Sequence, residues 1–513
     1  MKQFSKRIVG LRLAPLSAAL ALGLCVIPMA ESYAVGLDVS MPATWKAGDG
    51  SGVAALMQYL QSVAAARKPS VLAAATATAQ VTSCADDGSV GTLREVIAAA
   101  GEGDRLDLSQ LNCSVITLTQ GAIPVMLDNL TMLGPGADRL AIDGGRLDRI
   151  FIHYGYDTLD LEGLTVRNGF NQVSGYHVAG GGCIVGNGYV TLDRSVVSAC
   201  TSVGEGAYGG GILARGITLY SSTLSGNLAL GSHPNTFTAA YGGGAMAYRG
   251  TAALYDSTVT GNRAAHERTD TNGSYCTGGG LFADNGGYAY ASTISNNYSY
   301  GTGGGIASHG GFFISQSTIS GNTAHGKKGG GMFVRLFNSM SINNATIADN
   351  TAVDGGGMYF SGQPQAITLQ STLVANNVAS ASGADIATQN LLTIAGSHNL
   401  ILKASNAVLP MDTLHGNPLL LPLAFNGGPT QTQALSFGSA ALDAGSNPLG
   451  FSYDQRGSGF VRQIGAAPDI GAFEGALAAA MPQEVPAASE WMLGLMVGLF
   501  GWLGWWRCEK RTR

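Results

Sequence analysis

The sequence predicts an all-β fold: a single-stranded right-handed parallel β-helix, or solenoid, with an N-terminal capping helix and a C-terminal transmembrane helix. Three observations carry the solenoid. A glycine triplet recurs seven times, as Gly180-Gly181-Gly182 and then at residues 209–211, 242–244, 278–280, 303–305, 329–331 and 355–357. Each triplet is followed at a nearly constant distance by a short phrase such as Ser222-Thr223-Leu224-Ser225-Gly226-Asn227 or Ser317-Thr318-Ile319-Ser320-Gly321-Asn322. Between the two, apolar and polar residues alternate, as in Ile217-Thr218-Leu219, which is the period of a half-buried strand and not of a helix.

The 513 residues are enough for several ordinary domains, but repeat periods of 25 to 36 residues argue for one long stack. Glycine is abundant at 75 residues without a Gly-X-Y register, and prolines number 16, which excludes collagen. A hydrophobic share of 45% excludes simple disorder. With 12% charged residues and a net charge of -5, the chain lacks the basic footprint of a nucleic-acid binder.

In chain order, residues 1–34 read as a secretory signal. Lys2, Lys6, Arg7 and Arg12 form the basic start, residues 13–29 the apolar stretch, and Ser32-Tyr33-Ala34 a small-x-small cleavage site. Residues 35–83 show no repeat and read as a weakly ordered leader. Residues 91–100 have helical periodicity just before the first short apolar runs, the place for a helix that covers the open end of a solenoid. The solenoid is expected over 84–384, and its last coils and cap over 385–475. Parallel crossovers are right-handed in nearly all proteins, which sets the expected hand.

Spacing separates scaffold from variable edge. From the last glycine of each triplet to the phrase's end is 18, 16, 18, 17, 17, 19 and 19 residues, reaching Cys200, Asn227, Asn262, Asn297, Asn322, Asn350 and Asn376. From there to the next triplet, 8, 14, 15, 5, 6 and 4 residues intervene. One segment stacks in register while the other tolerates insertion. Glycine suits bends needing positive φ. Asparagine tolerates the left-handed conformation, and its amide can bond to the asparagine of the next coil to make a ladder.

Export permits disulfides. Cys25 falls in the signal and Cys508 beyond the last apolar run, leaving five cysteines. Cys84 and Cys113 bracket one element and can pair. Cys183 and Cys200 lie in one repeat and are a second candidate pair, which leaves Cys276 odd; Cys183 beside a glycine triplet reads equally well as a small buried residue.

The repeats resemble those of bacterial secreted right-handed β-helix proteins and, distantly, polymorphic outer membrane protein repeats. After them come Asn417-Pro418-Leu419-Leu420, Asn426-Gly427-Gly428-Pro429-Thr430, Ala440-Ala441-Leu442-Asp443-Ala444-Gly445, Asp454-Gln455-Arg456-Gly457 and Asp469-Ile470-Gly471-Ala472-Phe473-Glu474. That succession is similar to the C-terminal region of choice-of-anchor Q proteins, over residues 84–474. The resemblance implies a surface or secreted protein and supplies no catalytic residues. Residues 476–490 read as a linker holding Val485-Pro486 and Ser489-Glu490-Trp491, residues 491–506 as a transmembrane helix, and residues 507–513 as a basic cytoplasmic tail. This arrangement resembles the IPTL-CTERM and PEP-CTERM sorting signals, although Ala487-Ala488 stand where Thr-Leu is usual. It implies an exosortase-type partner and leaves both cleavage and a lasting anchor open.

Chemistry is sparse. Asp143, Asp148 and Arg149 are close in sequence, as are Asp193 and Arg194, but none recurs at a coil spacing that builds a calcium cluster or an acid/base pair. No cofactor or metal is expected. The two longest insertions, 228–241 and 263–277, belong to adjacent coils, about 4.8 Å apart at their bases, and bring together His233, His266, Glu267, Arg268, Asp270 and Tyr275 as a candidate ligand ledge, set against drift in exposed loops. Tyr220, Tyr255 and Tyr290 form an outward column that can stack on sugar rings or on itself. The expectation is a non-enzymatic cell-surface or secreted protein, adhesin-like or binding envelope or matrix polysaccharide. The alternative is a polysaccharide lyase or glycoside hydrolase on the same scaffold. An autotransporter passenger is disfavoured, because the roughly 40 residues after Glu474 cannot supply the eight or more strands of a membrane barrel.

Overall fold

A computed structural model describes residues 79–173, 178–232, 238–267, 275–336, 338–362 and 366–475. The signal, most of the leader, the sorting motif, the apolar run 491–506 and the basic tail lie outside the described residues. No described helix is long and apolar enough to cross a membrane.

One coil shows how residues make the turn. After Gly209-Gly210-Gly211, Ile212–Ala214 lies in a sheet named I here, Gly216–Tyr220 in sheet II, Thr223–Ser225 in sheet III, Leu228–Gly231 in sheet IV and Ala239–Tyr241 in sheet V. Each strand pairs in parallel with its counterpart one coil on, as in Ile217 with Ala252, Leu224 with Val259 and Ala229 with Ala264. Among the described residues sheet III has 11 strands, sheet IV 8 and sheet V 4; sheets I and II, joined through the long strand Ile386–Ser397, hold 22. Inward positions of sheets I to III form one continuous core, with Ile212, Leu219, Leu224, Ile306, Phe312 and Ile319 all fully buried. Each such side chain contributes about 1.5–3 kcal/mol relative to exposure.

The triplet's three glycines have three separate reasons. Gly209 is left-handed at φ 61°. A Cβ on Gly210 would lie 2.1 Å from the carbonyl of Gly243, and one on Gly211 would lie 3.1 Å from the Asn227 amide carbon. The third glycine therefore makes room for the coil's asparagine. In the first repeat Gly180 pairs with Tyr208, so the matching residues are Gly181, Gly182 and Cys183. Cys183 fills the third glycine's slot and Cys200 the asparagine's, and the two form a disulfide. Cys84 and Cys113 form another, and Cys276 is free and buried.

Two ladders run down the stack. The Nδ2 of Asn262 donates to Oδ1 of Asn297 at 3.0 Å, that of Asn297 to Asn322 at 3.0 Å, and that of Asn322 to Asn350 at 2.9 Å. Asn350 then donates to Asn377 at 2.9 Å, so Asn377 and not Asn376 is the ladder residue of that coil. Asn376 is exposed and left-handed at φ 58°. The same holds one residue before the asparagine in other coils, at Gly226, Gly261, Asn296 and Asp349. The left-handed role thus belongs to the preceding residue, because the asparagine must turn its amide inward. The ladder ends at Asp385, in the third-glycine slot, whose carboxylate accepts from Asn377 Nδ2 at 2.9 Å and Lys403 N at 2.8 Å. Burial raises the Asp385 pKa, and these donors oppose the rise. The phrase's first serine makes the second ladder: Ser257 Oγ donates to Tyr255 O at 2.7 Å and accepts Ser222 N at 3.1 Å.

At the start, Ala79–Gln80 already pairs with Arg105–Asp107, upstream of the expected boundary at residue 84. The helix α1(Leu93–Ala99) follows, with Leu93, Val96 and Ile97 buried. Arg94 joins it to Asp86 at 2.9 Å and to the carbonyl of Gly121 at 2.7 Å.

At the other end coils continue to Ala404–Val408. The residues beyond were expected to add coils and a cap; instead they run back along the outer corner between sheets II and III. Thr430 Oγ1 donates to Ala291 O at 3.0 Å, Gln455 Nε2 to Thr293 Oγ1 at 3.0 Å, and Thr318 Oγ1 to Gln455 Oε1 at 2.6 Å. Asn344 Nδ2 donates to Ser446 O at 3.1 Å, and Ala472 N to Thr346 Oγ1 at 3.0 Å. In three successive coils the outward threonine after the phrase's first residue, Thr293, Thr318 and Thr346, supplies a hydroxyl to this docking. The two late phrases close on each other. Arg456 meets Asp454 at 2.6 Å, Glu474 N donates to Asp454 at 2.8 Å, and the Glu474 carboxylate accepts from Ile464 N and Asp469 N at 2.9 Å each. Arg462, 1% exposed, lies 3.6 Å from Glu474.

Candidate functional site

In the four coils that carry sheet V, the chain leaves the core along sheet IV and returns along sheet V. The two sheets enclose a small core of their own, Ala207, Ala229, Ala240, Ala264 and Cys276, with Tyr300 packed against it. Alanine at these positions lets the sheets approach closely. Residues 228–241 and 263–277, expected as exposed loops, are therefore strands at both ends: Leu228–Gly231 and Ala239–Tyr241, then Arg263–His266 and Tyr275–Thr277. They stack in register, Gly231 on His266 and Ala239 on Tyr275. His233, Arg268 and Asp270 lie outside the described residues.

The other ledge residues are placed. His266 is 7% exposed, with its ring 4.1 Å from that of Tyr300. Glu267 is exposed and accepts the Ser232 hydroxyl at 2.6 Å. Tyr275 is 52% exposed, and Lys327 Nζ sits 5.0 Å from its ring centre. Sheet V ends with Tyr275–Thr277 because the next crossing takes only Tyr298-Ser299-Tyr300-Gly301-Thr302. A Cβ on Gly301 would lie 2.1 Å from Cys276 O, so the short crossing tucks beneath the lobe.

The step where the lobe stops is a shelf of rings and cations. Arg263 lies 5.0 Å over Tyr298, and His325 stands 5.2 Å from Tyr300 and 5.9 Å from Tyr298. One coil further Lys328 Nζ donates to Tyr359 Oη at 2.8 Å. The cations at this step meet rings, an arrangement worth about 0.5–1 kcal/mol per exposed pair. Burial pushes the Cys276 thiol up to about 12, so it behaves as a packing residue. Arg263, Tyr298, Tyr300, His325 and Lys327 were not singled out from sequence. The available signal was the crossing of five residues with two tyrosines directly after the longest insertion.

The tyrosine column lies on another face, the outer side of sheet II, with sheet III between it and the lobe. Tyr220 and Tyr255 stack on each other at 4.9 Å and 9°. Tyr255 is 6% exposed, and Phe451 of the returning segment sits 6.1 Å from Tyr290. The column therefore offers little open ring face. Beside it, burial raises Asp256 to about 6. Asp143 pairs with Arg167 at 2.8 Å and Asp193 with Arg194 at 3.1 Å, while Arg149 Nε donates to Gly180 O at 2.9 Å. Among the described residues no His, Cys, Asp and Glu group is arranged to hold a metal.

The chain is an all-β protein of stacked parallel strands, a β-solenoid. No family profile matches it, and no curated protein sequence matches it. Among solved structures a pectate lyase, Pel9A, is similar at 13% identity and a TM-score of 0.41, over 78% of this chain and 97% of that one.

Proposed function

We propose that this chain is a non-enzymatic cell-surface or secreted β-helix protein that binds carbohydrate of an envelope or matrix. In this reading it is a choice-of-anchor Q relative, with α1 covering the first coil and residues 476–513 acting as sorting signal and membrane anchor. The observation that carries the binding role is the shelf: an exposed ring, Tyr275, capped by Lys327 and continued by Tyr298, Tyr300 and His325. Planar rings seat sugar faces, and adjacent cations seat carboxylate or hydroxyl groups. The early carboxylates support the non-enzymatic part, since Asp143 and Asp193 are committed to arginines. The test is retardation of the exported protein in gels containing soluble glycans. Tyr275→Ala with Lys327→Ala is expected to weaken binding about tenfold; unchanged mobility in every glycan would remove the shelf from the reading.

One observation favours the enzymatic alternative. The Asp256 carboxyl, held at about 6, sits near Tyr290 on the outer face, a value suited to proton transfer. Release of reducing or unsaturated ends from a polysaccharide, lost in Asp256→Asn, would establish that alternative in place of the first.

A further inference from the structure

A second aromatic surface lies at the corner between sheets I and II, away from both the shelf and the returning C-terminal segment. At this corner successive coils touch backbone to backbone. A Cβ on Gly188 would lie 2.1 Å from Asp157 O, and one on Gly250 would lie 2.1 Å from Arg215 O. With no room between coils, the flanking side chains project outward. Those side chains are Tyr154 and Tyr156 on one coil, Tyr189 on the next, Arg215 on the third, and Tyr248 with Arg249 on the fourth.

The rings of Tyr154, Tyr156 and Tyr189 are exposed and braced, and that of Tyr248 is half-buried. Tyr154 is 46%, Tyr156 72% and Tyr189 41% exposed, a heavy concentration of tyrosine in water for two adjacent coils. Tyr189 lies across the backbone of Gly216, where a Cβ would come within 2.7 Å of its ring, and Arg215 covers it at 5.7 Å. Tyr248 Oη donates to Asn187 O at 3.3 Å, and Asn187 Nδ2 to Tyr154 O at 3.2 Å. Burial raises the Tyr248 pKa, Arg249 and Arg215 lower it, and Tyr156 adds to the rise, so the four share one neighbourhood.

Charge at the corner is balanced. Two arginines, Arg215 and Arg249, and two aspartates, Asp157 and Asp284, stand at or beside this corner, so their formal charges cancel; the Asp284 Oδ2 accepts the main-chain N–H of Arg249 at 3.0 Å. Nothing here selects an anion, in contrast to the cations of the shelf. Each coil advances the strip by about 4.8 Å, a step close to the length of one sugar unit in an extended chain, so Tyr156 and Tyr189 are one step apart and Tyr248 lies two steps further on. We propose that this strip binds an uncharged polysaccharide lying along the stacking direction, with sugar rings seated on Tyr156, Tyr189 and Tyr248 and hydroxyls met by Asn187 and Arg215.

The experiment compares three forms of the full chain: wild type, Tyr156→Ala/Tyr189→Ala/Tyr248→Ala, and the shelf variant Tyr275→Ala/Lys327→Ala. Each is titrated with an uncharged glycan (xylan or a β-glucan) and an acidic one (polygalacturonate), at low and high salt. The strip variant is expected to lose affinity for the uncharged glycan by about 100-fold, roughly fivefold per ring, with no salt dependence and with acidic-glycan binding intact. Should that variant fold poorly, Tyr156→Ala alone is expected to weaken uncharged-glycan binding about fivefold. A folded strip variant with unchanged binding, or uncharged-glycan binding lost only in the shelf variant, overturns the strip while leaving the shelf reading in place. A wild-type protein that binds neither glycan overturns both.

Discussion

The clearest lesson at the scale of single residues is that neighbours of the same type do opposite work. Asn376 and Asn377 are adjacent, yet the first is exposed at φ 58° and the second is buried and closes the ladder to Asn350. Asn376→Gly is expected to be neutral or slightly stabilising, because glycine accepts that φ freely. Asn297→Ala should cost about 3 kcal/mol, since the main-chain N and Nδ2 of Asn262 both lose their acceptor; urea unfolding checks the pair, and equal effects would contradict the assignment. A similar exchange of roles explains Cys183 and Cys200, which stand in a glycine slot and an asparagine slot. Cys183→Gly with Cys200→Asn should rebuild the ordinary pair, fold, and melt no lower than a Cys200→Ala variant. A double variant that melts below Cys200→Ala would show that the two slots are not equivalent. The sequence showed the recurring Asn but not which of two neighbours turns inward. That choice is made by the strand register, which in the last of these coils a count from the triplet misses by one residue.

Among the elements, the segment after Val408 behaves least as its sequence suggested. The quoted phrases 454–457 and 469–474 were legible as motifs; their purpose was not, because it depends on a corner of the solenoid 100 to 163 residues earlier in the chain. Gln455 fills that corner, bonding to Ser292 O, Thr293, Thr430, Gln431 O and Thr318. Gln455→Ala is therefore expected to expose residues 409–475 to a protease while the coils before them stay resistant. Persistence of the intact chain under digestion conditions that the wild type also survives would count against that docking. The lobe offers the complementary case: insertion lengths set this edge apart from the stacked segment, but alternating Ala residues there build strands, a pattern too weak to read in pieces of three or four residues.

At the scale of the whole molecule the two ends respond to pH in opposite directions. Burial raises Glu474 from its ordinary 4.5 to about 7. The folded form then holds a proton that the unfolded form releases between those values, so docking of the C-terminal segment weakens as pH rises from about 4.5 to about 7. Burial also acts to raise Asp86, but Arg94 and the amides of Thr119 and Gln120 outweigh it and hold the carboxyl below its usual range. Around α1 stability is present above the unfolded pKa and is lost as pH falls through the lowered one. Hydrogen exchange is expected to show the N-terminal turns opening in acid and residues 454–475 opening toward neutrality, with Glu474→Gln abolishing the second effect. The body of the solenoid was legible because its cause repeats from coil to coil between Gly180 and Asn377. The shelf and the tyrosine strip were not, because each is assembled once, from residues that only the stack brings side by side. The returning segment also decides how the protein takes load. A pull on the chain beyond Gly475 reaches the solenoid through the Asp454, Arg456 and Glu474 knot and then through Thr293, Thr318, Thr346 and Ser371 together. Those bonds share the tension across several coils at once, so the last coil is spared from being peeled off alone.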